Sequence, residues 1–246
     1  MKKIFFLPIC LLISVLSLHA QSADDIIAKH IAALGGREKI QSINTMKATG
    51  MVDVGGGIQL PYINYFKRPG MMKIEATFQG MTQQISVDGK DGWQINPFTG
   101  SKDPEPMNAD DLKIFKQQAD FEGHLVDYKS KGYTAEYLGT EDFEGTQVHK
   151  IKLEGNGDVI NYYIDAETNL LLKESQKFKL SDTEIESETL YGDYKDESGM
   201  MMAHSMENKT PGQQGSMKIT VNTVEVNVPV EDSIFKMPPK SMEPQK

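Results

Sequence analysis

From Thr45 onward, apolar side chains alternate with polar ones through four consecutive segments, and no other feature of the chain constrains its fold as much. A period of two is typical of β-strands that bury one face, because successive side chains point to opposite sides of a sheet. Glycine-containing turns separate the segments, so we predict an antiparallel meander. The alternating apolar residues are Met46, Ala48, Val52 and Val54; Ile58, Leu60, Tyr62 and Phe66; Met72, Ile74, Ala76 and Phe78; and Met81, Ile85 and Val87.

Helical spacing precedes these strands and interrupts them once. Ser22 can cap a helix that stops at Gly35 and Gly36, and a short second turn is predicted at 38–43. The segment 108–121 begins with a capping asparagine and places Phe115 on an apolar face, so we predict a short amphipathic helix there.

Strand-like segments resume after this helix and continue to about residue 227, separated by turn sequences rich in Gly, Asn and Asp. The expected fold is mainly β (α+β), with about eleven strands and two or three helices. The chain has no internal repeat and no linker, so we predict one domain over residues 21–238. The proline-containing segment 239–246 is expected to be a flexible tail.

The first twenty residues have the three parts of a secretory signal. Two lysines precede an apolar run from Ile4 to Leu18, and Ala20 ends a suitable cleavage site. The run is shorter than a membrane span of roughly twenty residues. Cys10, the one cysteine of the chain, lies inside it, so the exported protein is expected to have no disulfide, thiolate metal site or thiol nucleophile.

Charge and chemistry exclude several classes of function. A net charge of −9 argues against a nucleic-acid partner, because no basic surface could neutralise phosphates. The histidines do not fall at metal-ligand spacing, and neither a serine-nucleophile motif nor a phosphate-binding loop occurs, so we predict no enzyme activity, no cofactor and no metal. Glu184, Glu186 and Glu188 share a strand face, which we interpret as a solvated face in preference to a hydrolytic pair. The fourteen methionines suit either a soft ligand pocket or an ordinary core.

Two motifs resemble those of LolA-like periplasmic lipoprotein carriers. They are the Lys-Arg-Pro motif within 66–72 and the hairpin at 86–98 that contains Asp-Gly-Lys, Trp93 and Asn-Pro-Phe. The segment 232–239 is similar to the closing motif of that family. The resemblance implies a periplasmic protein with an incomplete, curved antiparallel β-barrel and helices covering its concave face. It also implies a cavity for lipoprotein acyl chains, and an arginine, here Arg68, that holds the helical lid closed by hydrogen bonds to lid carbonyls.

We therefore predict a monomeric carrier that binds acyl chains of lipoproteins, or another lipid, without performing chemistry. Handover to membrane receptor proteins is a further possible step of this role, and the cargo is left open. Two alternatives remain: a sensor or assembly factor that binds a protein partner through the convex face, and a lipid hydrolase. Besides Arg68, the residues that alternation assigns to the ligand are Tyr62, Phe66, Met72, Ile74, Phe78, Ile85, Trp93, Ile95 and Phe115.

Overall fold

A computed structural model of the chain describes residues 22–180, 183–210 and 215–240. The predicted signal peptide and residues 241–246 of the predicted tail lie outside the described residues. In the part that is described, no helix combines the length and the apolar character needed to cross a lipid bilayer.

The described residues form three α-helices, two short 3₁₀ helices and thirteen strands. The helices are α1 (Ala23–Ala33), α2 (Arg37–Ser42) and α3 (Ala109–Ala119), and the 3₁₀ helices are Pro97–Thr99 and Asp232–Phe235. The strands are β1 (Thr45–Asp53), β2 (Gln59–Lys67), β3 (Met71–Phe78), β4 (Met81–Asp88), β5 (Gly92–Ile95), β6 (Glu105–Pro106), β7 (Thr134–Phe143), β8 (Thr146–Gly155), β9 (Asp158–Asp165), β10 (Leu171–Leu180), β11 (Thr183–Asp196), β12 (Met201–Lys209) and β13 (Met217–Val226).

All thirteen strands belong to one antiparallel sheet with the order β6-β5-β4-β3-β2-β1-β13-β12-β11-β10-β9-β8-β7. Strands β6 and β7 stand at the two ends of this order, so the sheet is open. The predicted mainly-β fold with an incomplete barrel is confirmed, but the count of about eleven strands was too low. The two missed strands, β5 and β6, have four and two residues, which is too short for alternation to be visible.

The predicted helix starts are confirmed by their caps. Ser22 Oγ accepts a hydrogen bond from the Asp25 amide at 3.1 Å, and the Asp25 carboxylate accepts one from the Ser22 amide at 3.3 Å. Asn108 Oδ1 accepts from the Asp111 amide at 2.8 Å at the start of α3. These bonds satisfy amides that the first helical turn leaves free.

The pairing register shows that the helices share one face of the sheet, which we call the helix-covered face. Helix α3 packs on it over β3 and β4, and α1 packs on it over β7 to β9. Members of this face, in order across neighbouring strands, are Gly92, Val87, Met72, Phe66, Met46, Val226, Ile219, Met206, Tyr191, Thr189, Glu174, Tyr162 and Ile151.

The two ends of the sheet differ. At the proximal end, where β1 begins, lie α2, the β2–β3 turn and the β11–β12 turn. At the distal end, where β1 ends, lie the β1–β2 and β3–β4 turns and the start of β13. Helix α1 ends against the β11–β12 turn: a Cβ added to Gly35, whose φ is +111°, would stand 2.3 Å from the Gly199 carbonyl oxygen. Only glycine fits there.

Candidate functional site

Four of the sequence-predicted site residues meet beneath α3. Phe66, Met72 and Ile74 come from β2 and β3, and Phe115 comes from α3 itself. They pack with the fully buried Val87, and Met72 is 1% exposed. This end of the helix-covered face is therefore closed by the apolar side of α3.

Tyr62 belongs to the same face but to a neighbouring cluster, with Ala48 and Val221. Its ring lies against Gly50, where an added Cβ would come within 2.7 Å of a ring carbon. Burial raises the pKa of the Tyr62 hydroxyl to about 12, so the phenol stays neutral. Tyr62 is thus a buried side chain of the helix-covered face, packed against Gly50.

Phe78 and Ile85 extend the face toward the distal end. Both are partly exposed, and the Phe78 ring meets the Phe98 ring edge-on with centroids 6.4 Å apart. Met81, directly opposite Phe78 in the register, is 37% exposed. Away from α3, the apolar face thus remains open to solvent.

Trp93 and Ile95 lie on the other face, and their assignment to a common lining with Met72 was wrong. The register pairs Trp93 with Ser86, so in β5 the residues on the helix-covered side are Gly92 and Gln94. Trp93 is 4% exposed because the 3₁₀ helix Asp232–Phe235 covers it. Its indole Nε1 donates to the Phe235 carbonyl oxygen at 2.7 Å. Trp93 anchors this C-terminal segment instead of facing a cavity.

Arg68 joins the β2–β3 turn to the end of α2. Its Nε donates to the Ile43 carbonyl oxygen at 2.7 Å, and one Nη donates to the Ile40 carbonyl oxygen at 3.0 Å. Ile40 lies in the last turn of α2, where its carbonyl also accepts from the Ile43 amide at 3.3 Å, and Ile43 is the residue that ends the helix. The planar guanidinium can donate to both carbonyls at once.

Arg68 also contacts the segment that follows α3. The same Nη forms an ion pair with the Glu122 carboxylate, and the guanidinium lies 4.6 Å from the centroid of the Phe121 ring. Glu122 is only 10% exposed, and Lys131 Nζ stands 3.9 Å from its other oxygen. One side chain thus ties together α2, the β2–β3 turn and the end of α3.

Helix α3 makes a second polar contact, on its far side, with β9. Asp158 is fully buried at its side chain, and its carboxylate accepts from Gln117 Nε2 at 2.7 Å and from Lys113 Nζ at 3.2 Å. Helix α3 therefore spans the helix-covered face, with apolar packing on β3 and β4 and polar contacts to β9.

Sequence reasoning missed the polar members of this face. Glu174 is the main one, because burial raises the pKa of its carboxyl to about 7, with the Tyr191 hydroxyl opposing this shift. Asn64, between Tyr62 and Phe66 in β2, has a buried Oδ1 without a hydrogen-bond partner among the described residues. Alternation could have placed both on this face, but an apolar-only criterion passed over them.

Two open concavities lie elsewhere. One, of about 560 Å³, follows α1 and is lined by Ile27, Ile31, Leu125 and Tyr128 among others. The other, of about 650 Å³, borders the segment 227–233. Neither is lined by a residue that the sequence assigned to the ligand. Beneath α3 the side chains are packed, so a guest there requires α3 to move.

Comparison with solved structures gives matches that span nearly the whole chain. A LolA superfamily protein from Nitrosomonas europaea covers 87% of this chain and 97% of its own, with 14% identity and a TM-score of 0.57. A DUF1329 family protein from Desulfovibrio piger covers the same shares, with 11% identity and a TM-score of 0.58. A protein domain from Vibrio parahaemolyticus described as outer-membrane lipoprotein-sorting covers 87% and 95%, with 12% identity and a TM-score of 0.55.

No protein-family model matches the chain, and no curated protein matches it significantly. At identities of 11–14% the structural likeness speaks to the fold alone. The strand order, the open sheet and the helices on one face agree with it. The chain therefore has the LolA-like fold, an open, curved antiparallel sheet with helices packed on one side.

Proposed function

We propose that this chain is a periplasmic carrier that binds the acyl chains of lipoproteins, or of another lipid, on the helix-covered face. The observation that carries the proposal is the continuous apolar surface on adjacent strands, closed at one end by α3 and partly exposed at the other. Burying hydrocarbon there yields about 0.8 kcal/mol per CH₂ group, so a few chains bind firmly without chemistry.

Helix α3 acts as the lid in this proposal, with Arg68 as its latch. Its polar attachments, through Arg68 at one side and Asp158 at the other, involve carboxylates that are nearly or fully buried, so breaking them costs free energy that binding of the guest must offset. Its apolar side chains, including Phe115, would be replaced by acyl chain when it lifts. The apolar face then stays buried in both states, under α3 when the carrier is empty and under the acyl chain when it is loaded. Opening without a guest would expose this area to water, so α3 lifts only when a lipid is present.

The proposed carrier consists of one domain, residues 21–238, released from the signal peptide 1–20 and acting as a monomer. The ligand set is Tyr62, Phe66, Met72, Ile74, Phe78, Ile85 and Phe115, with Arg68 as the latch. Trp93 and Ile95 are removed from it because they lie on the other face.

The test is lipid occupancy of protein purified from bacterial periplasm without detergent. Phe78→Glu places a charge on the apolar face, whereas Thr77→Glu places the same charge on the opposite side of the same strand, where Thr77 contacts Thr82. Native mass spectrometry with lipid extraction is expected to find lipid on the unmodified chain and on T77E, and little on F78E. Equal occupancy of the two variants, or an empty unmodified chain, would refute the proposal.

A further inference from the structure

A row of polar side chains crosses the helix-covered face on β9 to β12. The register places Tyr162 opposite Glu174, Glu174 opposite Thr189, and Thr189 opposite Asn208. Directly opposed residues on neighbouring strands share a face, so these side chains stand side by side. The row adjoins the apolar cluster beneath α1, of which Tyr162 is a buried member.

The Glu174 carboxyl is enclosed by protein but poorly partnered. The Tyr191 hydroxyl donates to its Oε2 at 3.5 Å, which is at the limit of a hydrogen bond, and is its one hydrogen-bonding partner among the described residues. The nearest strand lysine, Lys173, points to the opposite face, where its Nζ pairs with Glu188 at 2.5 Å. Glu174 as a whole residue is nevertheless only partly buried, so the position is not sealed within the core.

The titratable groups around Glu174 do not supply a compensating charge. Burial raises the pKa values of Tyr162 and Tyr191 well above 10, and that of Tyr194 rises as well, so these phenols stay neutral. His124, whose Nδ1 lies 3.3 Å from the Tyr162 hydroxyl, has its pKa lowered by burial, and so does His30 on α1. Ionised Glu174 is therefore an uncompensated negative charge, which is costly in a protein-enclosed site.

We propose that Glu174 binds the ammonium group of an amphiphile whose hydrocarbon chain lies on the helix-covered face. An ammonium group brings both the missing positive charge and hydrogen-bond donors, and charge-assisted bonds of this kind are about twice as strong as neutral ones. Tyr162 lies directly opposite Glu174 in the register and the Tyr191 hydroxyl contacts its carboxylate, so the position has aromatic side chains, of a kind that attracts cations, as neighbours. The inference rests on the proposed lipid-binding function and adds the class of head group.

The test compares decylammonium with 1-decanol, which has the same chain and a neutral head group, by isothermal titration calorimetry on the full chain. At pH 8 the unmodified protein is expected to prefer decylammonium by on the order of tenfold. At pH 6 the preference should fall to about twofold, because the ionised fraction of a carboxyl with a pKa of about 7 falls from about nine-tenths to about one-tenth and the neutral carboxyl gives no preference.

Two variants separate this role from a structural one. Glu174→Gln keeps the shape and removes the charge, so the ammonium preference should disappear while decanol binding stays. Glu186→Gln is the matched control, because Glu186 lies on the opposite face with Lys177 at 3.4 Å, and it should behave like the unmodified chain. Thermal unfolding of both variants verifies that they fold. A preference that survives in E174Q, or decanol bound as tightly as decylammonium at pH 8, overturns the inference alone, whereas failure of both ligands overturns the proposed function with it.

Discussion

Arg68 satisfies acceptors from two separate segments, the end of α2 and the residues after α3, with one planar group. Its removal leaves the Ile40 and Ile43 carbonyls without these donors and the nearly buried Glu122 without its guanidinium partner. We expect Arg68→Ala to lower the free energy of unfolding by about 2–4 kcal/mol. The free energy of unfolding of Arg68→Lys should lie between those of the unmodified chain and Arg68→Ala, because an ammonium group lacks the fork that reaches both carbonyls. Urea denaturation measures the difference.

The other arginine of the chain provides the control. Arg37 pairs with Asp127 at 2.8 Å, but its side chain is 61% exposed, so Arg37→Ala should cost less than about 1 kcal/mol. Equal losses in the two alanine variants would show that Arg68 is an ordinary surface residue.

Glu174 gives a pH-dependent contribution to stability whose sign follows from its raised pKa. The folded state holds this proton up to a pKa of about 7, while the unfolded chain releases it near 4.5. The contribution is therefore fully present below pH 4.5 and is lost as the pH rises through 7. Since glutamine does not titrate, E174Q should gain stability over the unmodified chain between pH 4.5 and pH 8, by up to about 3 kcal/mol. A pH-independent difference in urea denaturation would contradict this.

Residue types alone could not show which face of the sheet each strand side chain occupies. Alternation correctly grouped Phe66, Met72 and Ile74, since each strand is long and its other face is polar. It failed at Trp93 because β5 has four residues and both of its faces are covered, one by α3 and the other by the C-terminal 3₁₀ helix. Alternation also passed over Glu174. Its carboxyl has no positive charge beside it, and this is visible only in the folded chain.

At the scale of elements, the start of a helix was easier to predict from the sequence than the strands against which it packs. The Ser22 and Asn108 caps act within four residues, so the sequence alone reveals them. The placement of α3 depends on contacts with β9, 41 to 45 positions away along the chain, which no local pattern encodes. The glutamates of β11 are likewise explained only by their neighbours: Glu186 and Glu188 pair with lysines of β10, as a solvated face would.

The far side of α3 is expected to depend on Lys113. Lys113→Ala removes one of two donors to the buried Asp158, so the helix should separate from β9 more often. Hydrogen–deuterium exchange of the α3 amides should become about tenfold faster, which corresponds to about 1.4 kcal/mol. Lys116→Ala is the control, because Lys116 is exposed on the same helix. Similar exchange in both variants would mean that apolar packing alone holds α3.

At the scale of the whole molecule, exposed apolar side chains gather at one end of the sheet. Five large ones lie at the distal end, where the apolar face is least covered: Val54, Ile58, Met81, Phe98 and Met217. Local sequence could not reveal this gathering, because the residues come from four separate parts of the chain that meet only through the strand order. A contiguous exposed apolar surface commonly marks a site of interaction. In the proposed carrier it is the place where a lipid chain passes to or from a membrane.

This distal surface is expected to control the rate of lipid transfer without controlling occupancy. The triple variant Met81→Ser, Phe98→Ser and Met217→Ser weakens contact with a bilayer but leaves the packed residues beneath α3 unchanged. Each lost apolar contact is worth about 1 kcal/mol, so with three of them lost, transfer of a pyrene-labelled fatty acid to phospholipid vesicles should slow by on the order of a hundredfold in stopped-flow fluorescence. The control replaces Leu138 and Met237, which are 45% and 52% exposed away from this end. If the control slows transfer as much as the triple variant does, the distal end has no special part in handover.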